Sequence, residues 1–243
     1  MSQNIYDNQG FFEGYAQLPR SIQGLAGAPE WSSLQAMLPA LAGKRVLDLG
    51  CGYGWFCRSA REQGASEVVG IDLSSRMLAR AAELTRDPAI HYRREDLAAL
   101  ALDGAQYDLI YSSLALHYLA EVGPLFGQLF AALRPGGRLV FSVEHPIFTC
   151  PRQQGWLHDE GGQRSWPINS YQAEGPRLSN WLAEGVIKYH RTLGGYLNPL
   201  IENGFRLVHV EDWGPSVAQI AANPALSEEA ERPMLLLVAA SKP

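Results

Sequence analysis

The chain has 243 residues, 47% of them hydrophobic and 19% charged, with a formal net charge of −5. This is the composition of a globular chain that can bury a core without disulfides or metals, and it excludes a wholly disordered or collagen-like polymer. The acidic balance argues against a general nucleic-acid-binding surface, and no apolar run approaches the roughly 20 residues of a membrane span.

The first 28 residues hold Phe11, Phe12 and Tyr15 close together, more aromatic character than a disordered tail carries, so this arm is expected to pack on the rest of the molecule. Residues 29–41 predict a helix, with Pro29 in its first turn and Trp31, Leu34, Leu38 and Leu41 on one face. Strands and helices then alternate. Strands are expected at Arg45–Leu49, Glu67–Ile71, Ile90–Glu95, Tyr107–Tyr111 and Arg138–Val143. Between them come helices over Trp55–Gln63, from a Ser74 cap through Leu84, and over Val122–Leu133. That order predicts a parallel sheet covered on both faces. Residues 146–190 break the rhythm with Trp156, Trp166 and Trp181 among glycines and prolines, and a stretch of that length reads as a functional lid. A helix over Leu193–Asn203, a strand over Phe205–Val210, a helical excursion over 215–232 and a strand over Met234–Ala240 complete the chain.

Chemistry concentrates at the strand ends. Gly50, Gly52 and Gly54 in Val46-Leu-Asp-Leu-Gly-Cys-Gly-Tyr-Gly54 allow a tight turn and close approach of backbone to a ligand beyond the carboxyl edge of the sheet. Asp72, ending the second strand, suits two vicinal ribose hydroxyls. Asp96, followed by Leu97 at the end of the third, suits an adenine amino group. A phosphate loop G-x-x-x-x-G-K-[ST] is absent, and Trp55 stands where a dinucleotide fingerprint has its third glycine. With Asp48 before the loop, a cationic nucleoside without phosphates, such as S-adenosylmethionine, fits better than a dinucleotide.

The ordered set VLDLGCGYG, GIDLS, EDL, YDLIYSSLALHYL and LRPGGRLVFSVEHP resembles the class I S-adenosylmethionine-dependent methyltransferases from about Lys44 to Val143. FFEGYAQLPRS, YHRTLGGYLNPLIENGF and ERPMLLLVAA look like the methyltransferase type 11 group, in a bacterial small-molecule branch. The resemblance implies one α/β Rossmann-like domain spanning 1–243, with a doubly wound seven-stranded sheet of order 3-2-1-4-5-7-6 and strand 7 antiparallel. Its parts would be an arm over 1–28, a cofactor-binding core over 44–143, a lid inserted after strand 5 over 146–190, and a C-terminal helix and two strands over 191–243. It also implies roles. Gly50, Cys51 and Gly52 would face the methionine part, with Asp48 nearby; Asp72 would hold the ribose, Leu73 and Met77 would flank the adenine, and Asp96 and Leu97 would meet its edge. Ser112 or Ser113, just past strand four, would receive the methionine amino group, and Tyr15 and Arg20 would close over its carboxylate.

The expected reaction is in-line transfer of a methyl group to a small-molecule acceptor. No catalytic residue is assigned; His117, His145 and His190 are the candidates for a base. Trp156, Trp166, Trp181, Tyr171 and Tyr189 suggest a partly aromatic acceptor pocket. Cys51 has no neighbouring histidine to activate it, and neither the histidines nor the cysteines show metal-ligand spacing. The amino terminus shows no secretory pattern, so a cytoplasmic protein is expected, with no nucleic-acid or membrane partner and an open oligomeric state. Two competing readings are a non-catalytic binder of S-adenosylmethionine or S-adenosylhomocysteine, and a nicotinamide-dependent oxidoreductase.

Overall fold

A computed structural model describes residues 2–243. Five parallel strands form the frame: β1 (Arg45–Leu49), β2 (Glu67–Asp72), β3 (Ile90–Arg94), β4 (Tyr107–Ser113) and β5 (Leu133–Glu144). Two short hairpins follow, β6 (Leu157–His158) with β7 (Arg164–Ser165) and β8 (Gly175–Ser179) with β9 (Val186–His190). The chain returns to the main sheet with β10 (Arg206–Trp213) and β11 (Leu235–Ser241). The seven-stranded order is β10-β11-β5-β4-β1-β2-β3, with β11 antiparallel to β5. This is the topology the sequence resemblance implies.

Residue alternation along each strand explains why both faces are covered. Leu47, Leu49, Val69, Ile71, Ile110, Leu139, Phe141, Leu236 and Val238 point into one core, whereas Val46, Val68, Leu109, Tyr111, Val140, Leu235 and Leu237 point into the other. A sheet buried on both sides needs apolar residues at consecutive positions, and these strands supply them.

The helices are α1 (Gln9–Ala16), α2 (Pro19–Ile22), α3 (Trp31–Met37), α4 (Trp55–Glu62), α5 (Ser75–Leu84), α6 (Gly123–Ala132), α7 (Pro146–Thr149), α8 (Leu193–Glu202), α9 (Val217–Ala222) and α10 (Ser227–Glu231). α6 and α8 bring Leu125, Phe126, Leu129, Tyr196 and Leu200 to the first core. α3 and α4 bring Leu34, Met37, Phe56 and Ala60 to the second. α5 starts where the Ser74 hydroxyl accepts the Met77 N–H, as its capping residue predicts.

Some boundaries move. α3 is shorter than the periodic stretch 29–41, because Leu38 is already extended ahead of Pro39. β4 runs two residues beyond Tyr111, so Ser112 and Ser113 lie within the strand rather than past it, paired with Phe141 and Ser142 of β5. β5 begins at Leu133, directly behind α6, and carries Pro135-Gly136-Gly137 inside it.

The arm packs as its aromatics require. Tyr6 meets Phe11, Tyr15 and Tyr118 edge to face, Phe11 meets Trp181, and Phe12 and Tyr15 both meet Tyr53 of the glycine loop. Residues 146–190 are anchored through their first half. His145 Nε2 lies 2.7 Å from the Asp212 carboxylate on β10. Farther along, the buried Arg232 guanidinium lies over Trp166 at 4.2 Å and Phe148 at 4.6 Å, with Trp156 at 5.6 Å, while pairing with Glu229 at 2.9 Å.

Truncating Arg232 should therefore release the start of the 146–190 stretch. Arg232→Ala is expected to lower stability by about 1–3 kcal/mol through lost stacking and the unpaired Glu229. Amide exchange should accelerate over 147–166 and not in β1 or β4; uniform acceleration, or none, would show that the cage does not hold this segment.

Candidate functional site

The turn from β1 to α4 is built on three glycines in the left-handed region, Gly50 at φ 72°, Gly52 at 52° and Gly54 at 71°. A side chain at Gly50 would collide with the Ala115 methyl, and one at Gly54 with the Tyr92 hydroxyl, whereas the space beside Gly52 is open. The Gly50 and Cys51 amides both donate to the Ile71 carbonyl, at 2.8 and 3.0 Å, and the Gly52 amide donates to Asp72 at 2.9 Å. The loop is thereby pinned to the tip of β2 with open backbone at its crest. Trp55, in place of a third glycine, lies against Gly24 of the arm.

Asp72 is half-buried and also accepts the Ser74 N–H at 2.9 Å. Burial raises its pKa even against these two backbone donors. Asp48 is buried beneath the loop, where it accepts the Cys57 thiol at 3.2 Å, and burial pushes its pKa up to about 7. Burial likewise pushes the Cys51 thiol up to about 11, the opposite of an activated nucleophile. Met77 is buried, and the Leu73 carbonyl accepts from Arg94 at 3.0 Å.

Asp96 takes the Ser2 amide at 2.9 Å and the Ser2 hydroxyl at 2.7 Å, as well as the Ala98 N–H at 3.0 Å ahead of buried Leu97. Its partial burial opposes ionisation, but these donors win and its pKa falls below the usual value. Asp7 fastens the arm to the start of α5 as an acceptor. It accepts from Ser74 Oγ at 2.5 Å, Ser75 Oγ at 3.1 Å and the Arg76 N–H at 3.1 Å, and its pKa is held at about 2. The arm also reaches the 146–190 stretch, where Gln3 donates to the Gly185 carbonyl and accepts from the Ile187 N–H. Tyr15 stands between these contacts, 5.9 Å from the Tyr53 ring. Arg20 gives Nη2 to both oxygens of Glu30, at 3.0 and 3.2 Å, and Glu30 is fully buried.

On β4, Ser112 Oγ donates to the Leu49 carbonyl at 2.9 Å and Ser113 Oγ accepts from Ser142 at 3.3 Å. The three histidines differ. His145 accepts the Ile147 N–H on Nδ1, so Nε2 carries the proton toward Asp212. His190 lies between Thr149 Oγ1 and the Tyr171 carbonyl, both at 2.8 Å, so Nε2 donates to the carbonyl and Nδ1 accepts. Both are spent on anchoring the 146–190 stretch, and burial lowers both pKa values. His117 is buried, with Nδ1 accepting the Glu144 N–H at 3.4 Å; Nε2 has no protein partner among the described residues. Burial first, then the neighbouring Lys188 and Arg191, hold it well below its usual pKa, so it is neutral at pH 7.

Sequence reasoning missed Glu30, Ser2, Asp7, Glu144, Lys188 and Arg191. Among them only Asp7 carried a local signal, an acid near a chain end, and it said nothing of its partner helix. A shallow depression lined by Ser33, Met37, Arg138, Val208 and His209 lies over α3 and the edge strands and includes none of the strand-end residues above. The strand-end region is instead roofed by the arm. Among the described residues no helix is long and apolar enough to cross a membrane, and no three His, Cys, Asp or Glu side chains converge as metal ligands.

Residues 47–141 match a methyltransferase domain family. A crystal structure of an S-adenosylmethionine dependent methyltransferase from Mesorhizobium loti is 55% identical, with a TM-score of 0.87 over 90% of this chain and all of that one. An uncharacterized protein of Haemophilus influenzae is 34% identical over 98% of this chain and 97% of its own length. A malonyl-[acyl-carrier protein] O-methyltransferase of Enterobacter lignolyticus is 42% identical over 124 residues, 51% of this chain and about half, 48%, of that protein.

Asp48 gives a test independent of any ligand. Its folded pKa is above the unfolded value, so as pH rises from about 4 the unfolded chain loses its proton first and stability falls until pH passes about 7. Asp48→Asn should abolish that part of the profile. The stability difference, wild type minus variant, should decline between pH 4 and 7 and flatten above 8; a difference independent of pH would mean that Asp48 ionises normally.

Proposed function

The chain belongs to the S-adenosylmethionine-dependent methyltransferases, and from that membership we propose that it transfers a methyl group by in-line displacement to a small organic acceptor at the carboxyl edge of its sheet. The observation that carries the proposal is the glycine loop pinned to Asp72, with open backbone at Gly52, no phosphate-binding lysine, and Trp55 where a dinucleotide loop has glycine. S-adenosylmethionine, when bound, supplies an electrophilic methyl on a sulfonium that is already a good leaving group.

This chain's own residues do the rest. Gly50, Cys51 and Gly52 face the methionine part, with the Ser112–Ser113 backbone opposite. Asp48, beneath the loop, places a carboxyl near the cofactor's cationic groups, whose approach favours its ionised form. Asp72 keeps lone pairs free beside its two backbone donors, and these hold the ribose hydroxyls. Leu73 and Met77 flank the adenine. Asp96 takes its amino group in exchange for Ser2, so arm and adenine share one carboxylate. Arg20 spends only Nη2 on Glu30, leaving its other donors for the cofactor's carboxylate under Tyr15.

Residues 146–190 and the arm act as a lid that excludes water from the sulfonium, and catalysis is chiefly positioning. Neither His145 nor His190 is available as a base, since each ring is engaged at both nitrogens. Neutral His117 accepts the Glu144 N–H on Nδ1 and so carries its proton on Nε2, which faces the site as a donor; none of the three histidines serves as the base.

S-adenosylhomocysteine at a hundredfold excess over its Kd should add roughly 2.7 kcal/mol of stability, and NAD none. The absence of any thermal shift with protein freed of ligand would sink the cofactor assignment. Asp72→Ala should keep the fold and weaken S-adenosylhomocysteine by about 1.5–3 kcal/mol or more in calorimetry. Unchanged affinity would reduce Asp72 to a clip for the loop.

A further inference from the structure

Beyond the cofactor residues, the arm's aromatics lead to a second polar cluster. Tyr53 of the glycine loop touches Tyr15, Tyr15 touches Tyr6, and Tyr6 Oη lies 3.3 Å from Tyr118 Oη. Behind Tyr118 are His117, Glu144 at the end of β5, Lys188 on β9, and Arg191 just after it. Lys188 Nζ is 2.5 Å from Glu144 Oε1 and lies over the Trp181 ring at 4.8 Å. Lys188 and Arg191 are 7% and 6% exposed.

The charges in this cluster do not balance. Glu144 is consumed by Lys188, and His117 is neutral. Arg191 gives Nη2 to the Leu119 carbonyl and stacks over Tyr196, but among the described residues no carboxylate lies within 4.0 Å of it. Its Nη1 is buried with no hydrogen-bond partner, and Glu144 Oε2 is a buried acceptor in the same condition. A guanidinium out of water without a counter-charge is costly, and its fork matches the two oxygens of a carboxylate.

We infer that Arg191 is the anchor for an anionic group on the methyl acceptor, so that the substrate class is a small organic acid or a phosphorylated small molecule. Lys188 holds Glu144 in place through Oε1, and Glu144 Oε2 accepts a hydrogen from a hydroxyl or amine elsewhere on the same ligand. The aromatic run from Tyr118 to Tyr53 spans from this anchor to the loop, giving the body of the acceptor an apolar wall. Arg191 Nη1 is sealed when residues 146–190 are down, so the anion enters with that segment raised and its charge favours closure. This inference rests on the methyltransferase reading only for where the methyl donor sits; the anion site stands on the unbalanced charge.

The test is calorimetric titration of acetate, succinate, citrate and inorganic phosphate into the full chain, free and saturated with S-adenosylhomocysteine, at constant ionic strength. Neutral succinamide is the control. At least one anion should bind where succinamide does not; carboxylates ahead of phosphate identify an organic acid, and the reverse a phosphorylated acceptor. Arg191→Gln should weaken that anion at least tenfold while S-adenosylhomocysteine affinity holds, with Arg191→Lys in between. Succinamide binding as well as succinate, no anion binding to either form, or equal binding by a folded Arg191→Gln would overturn the inference. Should Arg191→Gln not fold, the anion-against-amide contrast on the wild type decides. Failure of S-adenosylhomocysteine itself to bind would strike the methyltransferase reading instead, and the titration of the free chain would still judge the anion site.

Discussion

The turn after β1 is the constraint on which the upper edge of the molecule depends. Three residues in left-handed conformation let successive amides fold back onto Ile71 and Asp72, so β1 and β2 end in one rigid knot. Only glycine meets both demands at Gly50 and Gly54, a positive φ and no room for a Cβ. Tyr53 and Trp55 project from this knot toward the arm, and Asp48 is buried beneath it. Moving the turn would displace the Asp72 carboxylate, the seat of the arm and the buried acid together.

The lower edge has the opposite character. Alternating apolar residues fill two cores, and polar side chains there, such as Asp108 with Lys44 and Arg134, sit at the surface and bind strands together. The candidate site residues thus gather on one rim because the parallel strands all end there, where loops rather than ladder hydrogen bonds determine what the backbone presents. Buried charge follows the same division. Buried Asp48, Lys188 and Arg191, with half-buried Glu144 paired to Lys188, lie at or above the carboxyl ends of the strands.

Most of the sheet was legible in the sequence because its signals are local. Val46-Leu-Asp-Leu49 alternates into two cores, Ser74 caps the helix it precedes, and the glycine spacing marks the turn. What stayed hidden depends on partners far along the chain. Arg20 carries no local sign that fully buried Glu30 pairs with it, and Asp96 gives no hint that Ser2, 94 positions earlier, will occupy it. The hairpin β8–β9 lacks clean alternation because Arg177 is buried on one of its strands, with its donors spread over the Cys150, Ser170 and Ala173 carbonyls. Ser112 and Ser113 read as loop residues because serine is a poor strand former, yet neighbouring β5 carries them into the sheet.

The arm is fastened to two places that have no other link through it. Ser2 and Asp7 grip the β2–β3 side, at Asp96 and the start of α5, while Gln3 and Phe11 grip Gly185, Ile187 and Trp181 on the far side. Such a bridge makes the positions of the two sides interdependent. Whatever displaces Ser2 from one side loosens the hold on the other, and thermodynamic reciprocity requires the same coupling energy in the reverse direction. A short amino-terminal segment therefore ties the Asp96 side of the sheet edge to the β8–β9 hairpin.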